Sequence, residues 1–150
     1  MIHIENRQKN LRLKTQALEK VAGRILSALG CPDAEISVVI VDDEEIRSLN
    51  RDYLGRDRAT NVISFAMQEG EGAGLNPEVL GDVVISAETA DRHAREAELP
   101  FESELYFLLL HGTLHLLGFD HERGSAEEAR RMEAKEEEVF DLIREEFLPA

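Results

Sequence analysis

The sequence predicts an α+β fold, an α/β sandwich in which one mixed sheet of about four strands is packed by four to five helices. Two observations support this fold class: short β-branched runs alternate along the chain with longer segments of helical periodicity, and turn-forming residues separate the two kinds of segment. A length of 150 residues suits a single domain with one substantial core. We therefore expect residues 1–150 to form one domain.

Four strands are predicted from short runs that are rich in β-branched residues. Ile2 and Ile4 alternate with polar residues in the first, and the other three are mostly apolar runs bounded by polar segments. A glycine-rich stretch, residues 69–80, separates the last two strands and is predicted to be a loop. The predicted strands are residues 2–4, 36–41, 62–65 and 82–85.

Helices are predicted where apolar residues recur with a period of about 3.6 residues, which places them on one face of a helix. The first begins near Leu11, and the most apolar one covers residues 105–117. Residues that cap or end helices stand at the expected boundaries, and Ser125 with Glu128 forms a capping box for the last helix. The boundary residues are Gly30, Asp42 or Asp43, Ser86, Pro100 and Ser125.

The formal net charge of −14 argues against a protein that holds long nucleic acid by its overall field. The first thirty residues carry a net positive charge, with six basic and two acidic side chains, whereas the rest of the chain is acidic. A polyanionic substrate would therefore have to be met locally. Many glutamates of the last helix are predicted to form its solvated face. They are Glu127, Glu128, Glu133, Glu136, Glu137, Glu138, Glu145 and Glu146.

Nothing in the sequence predicts a membrane protein. The longest apolar run, within residues 105–117, is too short to span a bilayer, and the first residues lack the pattern of a signal peptide. Cys31 is the only cysteine, so no internal disulfide can form. A reducing cytoplasm is the expected location.

The most informative motif is HxxxHxxGxxH, formed by His111, His115, Gly118 and His121. Histidines four apart lie on one face of a helix, and a glycine in the left-handed conformation can turn the chain so that the third histidine returns. A single such histidine on an apolar helix is usually a core residue, but three at this spacing favour a metal site. Three imidazoles leave a fourth position for water, as in catalytic zinc sites, where the ion lowers the pKa of that water.

The predicted cofactor is therefore one divalent ion, zinc first and nickel or another transition metal as the alternative, on a zincin-like helix. The motif is shared with metzincin peptidases, which carry a glutamate directly after the first histidine as the general base. Gly112 occupies that position here, which argues against a peptidase. Glycine inside a buried helix costs about 1 kcal/mol relative to alanine, so we expect substrate or a neighbouring strand to approach the helix closely there.

Phosphodiester cleavage fits the remaining polar residues better. The loop before the third strand carries Arg56 and Arg58, and arginine donates two parallel hydrogen bonds to phosphate. Ordinary surface pairing of the arginines in this region with Asp52 and Asp57 is the alternative. We assign Arg56, Arg58 and Ser64 as candidate substrate-binding residues, whereas the general base is not identified.

Residues 111–121, HGTLHLLGFDH, resemble the signature of the YbeY-type endoribonuclease family of ribosomal-RNA maturation factors. Residues 49–65 resemble the family's second motif, LNxxYRGxDxPTNVLSF, and residues 81–86 resemble its Gly-Asp-hydrophobic strand. Leu54 stands where that second motif has arginine, and Ala59 stands where it has proline. Either Arg56 or Arg58 replaces the missing charge, or turnover is weak.

The resemblance implies a metal-dependent endoribonuclease specific for single-stranded RNA, acting at the 3′ end of 16S rRNA and in ribosome quality control. It implies metal ligation by His111, His115 and His121, usually of zinc. It also implies single-stranded rRNA, small-subunit ribosomal proteins and an assembly GTPase as partners, and neither DNA nor membrane. The alternatives are a ribosome-assembly factor with a mainly structural metal site and, less favoured, a zincin-like metallopeptidase.

Overall fold

The computed structural model describes residues 1–67, 78–119 and 125–148. These residues form one four-stranded sheet and five helices, which confirms the predicted α+β fold class. The elements in chain order are β1 (Ile2–Asn6), α1 (Thr15–Ala28), β2 (Glu35–Val41), α2 (Asp43–Leu54), β3 (Val62–Ala66), β4 (Val79–Ser86), α3 (Ala87–Glu96), α4 (Phe101–Leu116) and α5 (Ala126–Phe147).

The sheet has the order β1-β2-β4-β3, with β1, β2 and β4 parallel and β3 antiparallel at the edge. Helices α1 and α2 leave the carboxyl ends of β1 and β2, as parallel connections require. Because side chains alternate along a strand, Val83 and Ile85 join the core formed with α1, α4 and α5, whereas Val84 packs with Ile63 and Ile46 of α2 on the other face. The sheet is therefore sandwiched between α2 and the other helices.

Several predicted boundaries differ from the structure: α4 begins at Phe101 rather than at residue 105, and two further differences have a visible cause. Leu11 precedes α1, because the buried side chain of Gln8 binds both the amide and the carbonyl of Leu11 (2.9 and 2.8 Å) in a turn. The predicted loop 69–80 ends too late, since Val79 and Leu80 belong to β4. Leu80 is buried and its carbonyl accepts the amide of Met67 at 2.9 Å, so pairing with the preceding chain extends the strand. Residues 69–77 of that prediction lie outside the described residues.

Glycine is required where β4 passes β3. Gly81 has φ +136°, and a Cβ there would lie 2.1 Å from the carbonyl oxygen of Phe65. Any other residue would have both a strained backbone and a steric clash. The close approach is part of the irregular pairing by which β4 reaches β2 and β3 together.

The predicted caps of α2, α3 and α5 are confirmed. Asp42, Ser86 and Ser125 each accept a backbone amide three residues on. Asp43, the alternative cap of α2, instead accepts hydrogen bonds from the hydroxyls of Ser86 and Thr89, both 2.6 Å away.

Asp43 also pairs with a guanidinium nitrogen of Arg92 at 2.7 Å. Partial burial raises the pKa of Asp43, but the hydrogen bonds from Ser86, Thr89 and Arg92, with the charge of Arg92, outweigh this effect and hold the pKa below its usual value. This network joins α2 to α3 and so fixes the helix that leads into residues 55–61, the loop that carries Arg56 and Arg58 and is called the arginine loop below. No helix in the described ranges combines the length and apolar character needed to cross a bilayer.

Candidate active site

A cleft of about 770 Å³ lies between α4 and the segment that runs from the end of α2 into β3. Five of the six predicted site residues line it, although the histidines and arginines are about fifty positions apart in sequence. The sixth, His121, lies outside the described residues. The five that the fold brings together are Arg56, Arg58, Ser64, His111 and His115.

The two described histidines of the motif converge on one point. His111 and His115 lie one turn apart on α4, and their Nε2 atoms are 3.2 Å apart. Two nitrogens that each lie 2.0–2.1 Å from a tetrahedral ion are roughly 3.3 Å apart, so this spacing fits two ligands of one zinc ion. No group of three potential metal-ligating side chains is complete within the described residues.

Gly118 ends α4 as predicted, with φ +96°. Its amide donates to the carbonyl of His115, and the amide of Phe119 donates to the carbonyl of Leu114, at 3.0 and 3.1 Å. These two bonds form a Schellman motif, which turns the chain sharply away from the helix axis. Gly118 and Phe119 both line the cleft, and His121 follows Phe119 by two residues in sequence.

Glu136 of α5 contacts α4 at His111. Its Oε2 lies 2.8 Å from Nδ1 of His111, and the side chains of Glu136 and His111 are only 14% and 21% exposed. The prediction that Glu136 belongs to the solvated face is wrong, because it shares the face of α5 that buries Met132, Val139 and Ile143. Sequence reasoning missed this contact, although the spacing of the apolar residues carried the signal.

Aromatic packing restrains the His111 ring from a second side. Phe107 stacks on it with ring centroids 6.1 Å apart and planes 25° apart, and Phe140 of α5 meets Phe107 edge-on at 5.3 Å. The ring therefore has an aromatic face on one side and a carboxylate at Nδ1, which together restrict its rotation.

Gly112 lets α4 lie against the sheet. A Cβ at this position would be 2.6 Å from Cγ1 of Val83 and 3.2 Å from Cγ2 of Val62. The expected close approach is therefore made by neighbouring strands. Ser64 joins β3 to α4 at the same place, because its hydroxyl donates a hydrogen bond to the backbone carbonyl of Gly112 at 2.8 Å.

The buried side-chain amide of Asn50 stabilises the arginine loop. Asn50 of α2 is only 3% exposed, and its side-chain amide donates to the backbone carbonyl of Arg58 at 2.9 Å. The backbone carbonyl of Asn50 accepts a hydrogen bond from the backbone amide of Arg56 at 3.2 Å. Gly55, with φ +71°, ends α2 between these contacts. Asn50 was not predicted as a site residue, and its position amid the apolar face of α2 is the signal that marks it.

Surface pairing, the alternative explanation for the arginines, applies to only part of this region. Asp57 pairs with Arg47 at 2.8 Å, and Asp52 pairs with Arg51 at 3.1 Å. Of the ion pairs found in the described part of the chain, none includes Arg56 or Arg58. Both guanidinium groups are exposed and border the cleft, so both are available to an anion.

Known proteins resemble this chain over nearly its whole length. A family model described as Endoribonuclease YbeY matches residues 3–144. The chain belongs to the YbeY endoribonuclease family. The Endoribonuclease YbeY of Syntrophotalea carbinolica is 72% identical over 99% of both chains, and that of Geobacter sulfurreducens is 63% identical over 95% of both. The predictions of this family and of an endoribonuclease enzyme are thus confirmed.

A solved structure supports the fold. The solution structure of a Thermotoga maritima protein, 27% identical in sequence, superposes with a TM-score of 0.63 and covers 99% of this chain and 95% of its own. The similarity therefore extends through the sheet and the helices that carry the cleft residues.

Leu54 and Glu104, which were not predicted as site residues, also line the cleft. Leu54, for which the resemblance of residues 49–65 implies an arginine, is 51% exposed and borders the cleft. Glu104 lies on α4 two turns before His111 and also lines the cleft. Burial raises the pKa of Glu104, and the nearby His93, 3.9 Å away, only partly opposes this. Sequence reasoning did not identify Glu104.

Proposed function

We propose that this cleft binds single-stranded RNA and hydrolyses its phosphodiester bonds with a divalent ion held by His111, His115 and His121. The observation that carries the proposal is the 3.2 Å approach of the His111 and His115 Nε2 atoms in a cleft that is also lined by Arg56 and Arg58, which form no ion pair with another described residue. Zinc suits three imidazole ligands best, and nickel or another transition metal is the alternative.

The ion would acidify a water molecule and neutralise charge on the scissile phosphate. The chain's own residues would bind and orient the substrate. Arg56 and Arg58 would hold phosphate oxygens, because the planar guanidinium donates paired hydrogen bonds. Ser64 already donates to Gly112, so its oxygen would accept a hydrogen bond, for which a ribose 2′-hydroxyl is a suitable donor.

From its family, we further propose that the substrate is ribosomal RNA near the 3′ end of 16S rRNA, and that the enzyme acts in rRNA maturation and ribosome quality control in the cytoplasm. A net charge of −14 opposes unaided capture of a polyanion. Docking to small-subunit ribosomal proteins or to an assembly GTPase would bring the cleft to its substrate despite that charge.

The experiment measures bound metal and cleavage of single-stranded RNA in the wild type and in His115→Ala. We expect His115→Ala to lose most of both, because a ligand is removed. His3→Ala is the matched control, since His3 lies on β1 and is 52% exposed beside Glu35. Loss of metal with unchanged cleavage would refute the catalytic role and favour a structural metal in an assembly factor.

A further inference from the structure

The contact between Glu136 and His111 joins two helices at the cleft. Glu136 lies on α5 and His111 on α4, and the 2.8 Å distance between Oε2 and Nδ1 is that of a strong hydrogen bond. The carboxylate is not at the end of a freely moving surface side chain. The Glu136 side chain is only 14% exposed and shares a face of α5 with Met132 and Val139, which are each 1% exposed, so the carboxylate lies beside the core and is mostly shielded from solvent.

This contact determines the protonation pattern of the His111 ring. An ionised carboxylate only accepts hydrogen bonds, so Nδ1 must carry the hydrogen. Nε2 of neutral His111 then presents its lone pair, and this atom faces Nε2 of His115 at 3.2 Å. A carboxylate on another helix is therefore placed where it would favour the tautomer that binds a metal through Nε2.

We propose that Glu136 is a positioning residue that fixes His111 in the tautomer and orientation required for metal binding. The inference rests on the proposed metal site and extends it to its surroundings. Histidine ligands commonly donate their second ring N–H to a carboxylate, and loss of that partner typically weakens metal affinity 10- to 100-fold. Phe107 restrains the ring plane, whereas Glu136 sets which nitrogen carries the hydrogen.

The competing explanation is that Glu136 only clamps α5 to α4. A clamp would affect the free energy of unfolding, and it would leave the zinc affinity of the folded protein unchanged. The two roles are therefore separated by measuring zinc affinity on folded protein, beside the unfolding of the metal-free form.

The variants are Glu136→Gln and Glu136→Ala in the full chain, with Glu137→Gln as the matched control. Glu137 is the next residue on α5 and is exposed. Zinc affinity is measured by competition with a chelator. We expect the affinity to fall in the order wild type, Glu136→Gln, Glu136→Ala, by about 10- to 100-fold overall, because the glutamine oxygen still accepts but carries no charge. Glu137→Gln should equal the wild type.

A spectroscopic measurement tests the tautomer directly. In metal-free protein, correlation of imidazole nitrogens with ring protons should show His111 with its hydrogen on Nδ1 in the wild type and a mixture of tautomers in Glu136→Ala. If Glu136→Ala does not fold, the isosteric Glu136→Gln keeps the test decisive. Unchanged zinc affinity in folded Glu136→Gln and Glu136→Ala would overturn the inference, whereas a wild type that binds no zinc would overturn the proposed function itself.

Discussion

Replacing Gly112 by alanine tests how closely α4 must approach the sheet. The new Cβ would lie 2.6 Å from Cγ1 of Val83, roughly 1 Å short of the optimal carbon–carbon distance. Val83 is fully buried and β-branched, so it cannot swing aside. Overpacking of this kind costs about 1–3 kcal/mol, and the higher helix propensity of alanine returns about 1 kcal/mol. We expect a net loss of up to about 2 kcal/mol.

Gly23 in α1 is the matched control. A Cβ there would meet Cδ1 of Ile2 at 3.5 Å, an ordinary contact, so Gly23→Ala should stabilise the protein by up to about 1 kcal/mol. Urea unfolding of both variants measures the difference. RNA cleavage by Gly112→Ala should fall by as much as about 100-fold, since α4 would carry its histidines out of position by a fraction of an ångström to 1 Å.

The double variant Gly112→Ala/Val83→Ala isolates the clash. Relative to Val83→Ala alone, adding alanine at position 112 should cost less than it does in the wild type, because the nearest atom is gone. The reasoning is refuted if Gly112→Ala is stabilised as much as Gly23→Ala and cleaves RNA at the wild-type rate.

Three further predictions concern the arginine loop and its support. Leu54→Arg should raise the rate of RNA cleavage, since it restores the family arginine at the cleft; a flat response would mean that Arg56 or Arg58 already supplies the charge. Arg58→Ala should weaken RNA cleavage, by about tenfold or more for one lost charged hydrogen bond, without releasing metal; metal loss would contradict its placement. Asp43→Asn should lower the free energy of unfolding by about 2 kcal/mol at neutral pH. Because the pKa of Asp43 is lowered on folding, this stabilisation is present above the usual pKa of about 3.9 and is lost as the pH falls through the folded value. Urea unfolding at pH 7 and pH 3 should therefore show a smaller difference in unfolding free energy between the wild type and Asp43→Asn at pH 3. An equal difference at both pH values would exclude the mechanism.

The sequence predicted the elements more reliably than their ends. Strands and helices follow from the period of their apolar residues, which is a local property. The start of α1 and the length of β4 depended instead on particular hydrogen bonds that the period of the apolar residues does not indicate. Gln8 holds Leu11 in a turn before the helix, and Leu80 extends its strand by pairing with Met67.

The metal-site prediction was local for the same reason. His111 and His115 are four residues apart, and helical geometry alone places them on one side of α4. The family resemblance also followed from sequence, since its motifs are contiguous. The local pattern did not indicate that Glu136, twenty-five residues later, supports His111.

The sequence by itself determined the fold class, the family and two converging histidines, because each follows from patterns that are local along the chain: the period of apolar residues, contiguous motifs and the spacing of two histidines. Only the tertiary structure decided what surrounds them. Gly112 is required because two strands pass close to it, and Arg56 and Arg58 border the cleft because Asn50 holds their loop. Such contacts join residues that are far apart in sequence, and only the packing of the helices on the sheet brings them together.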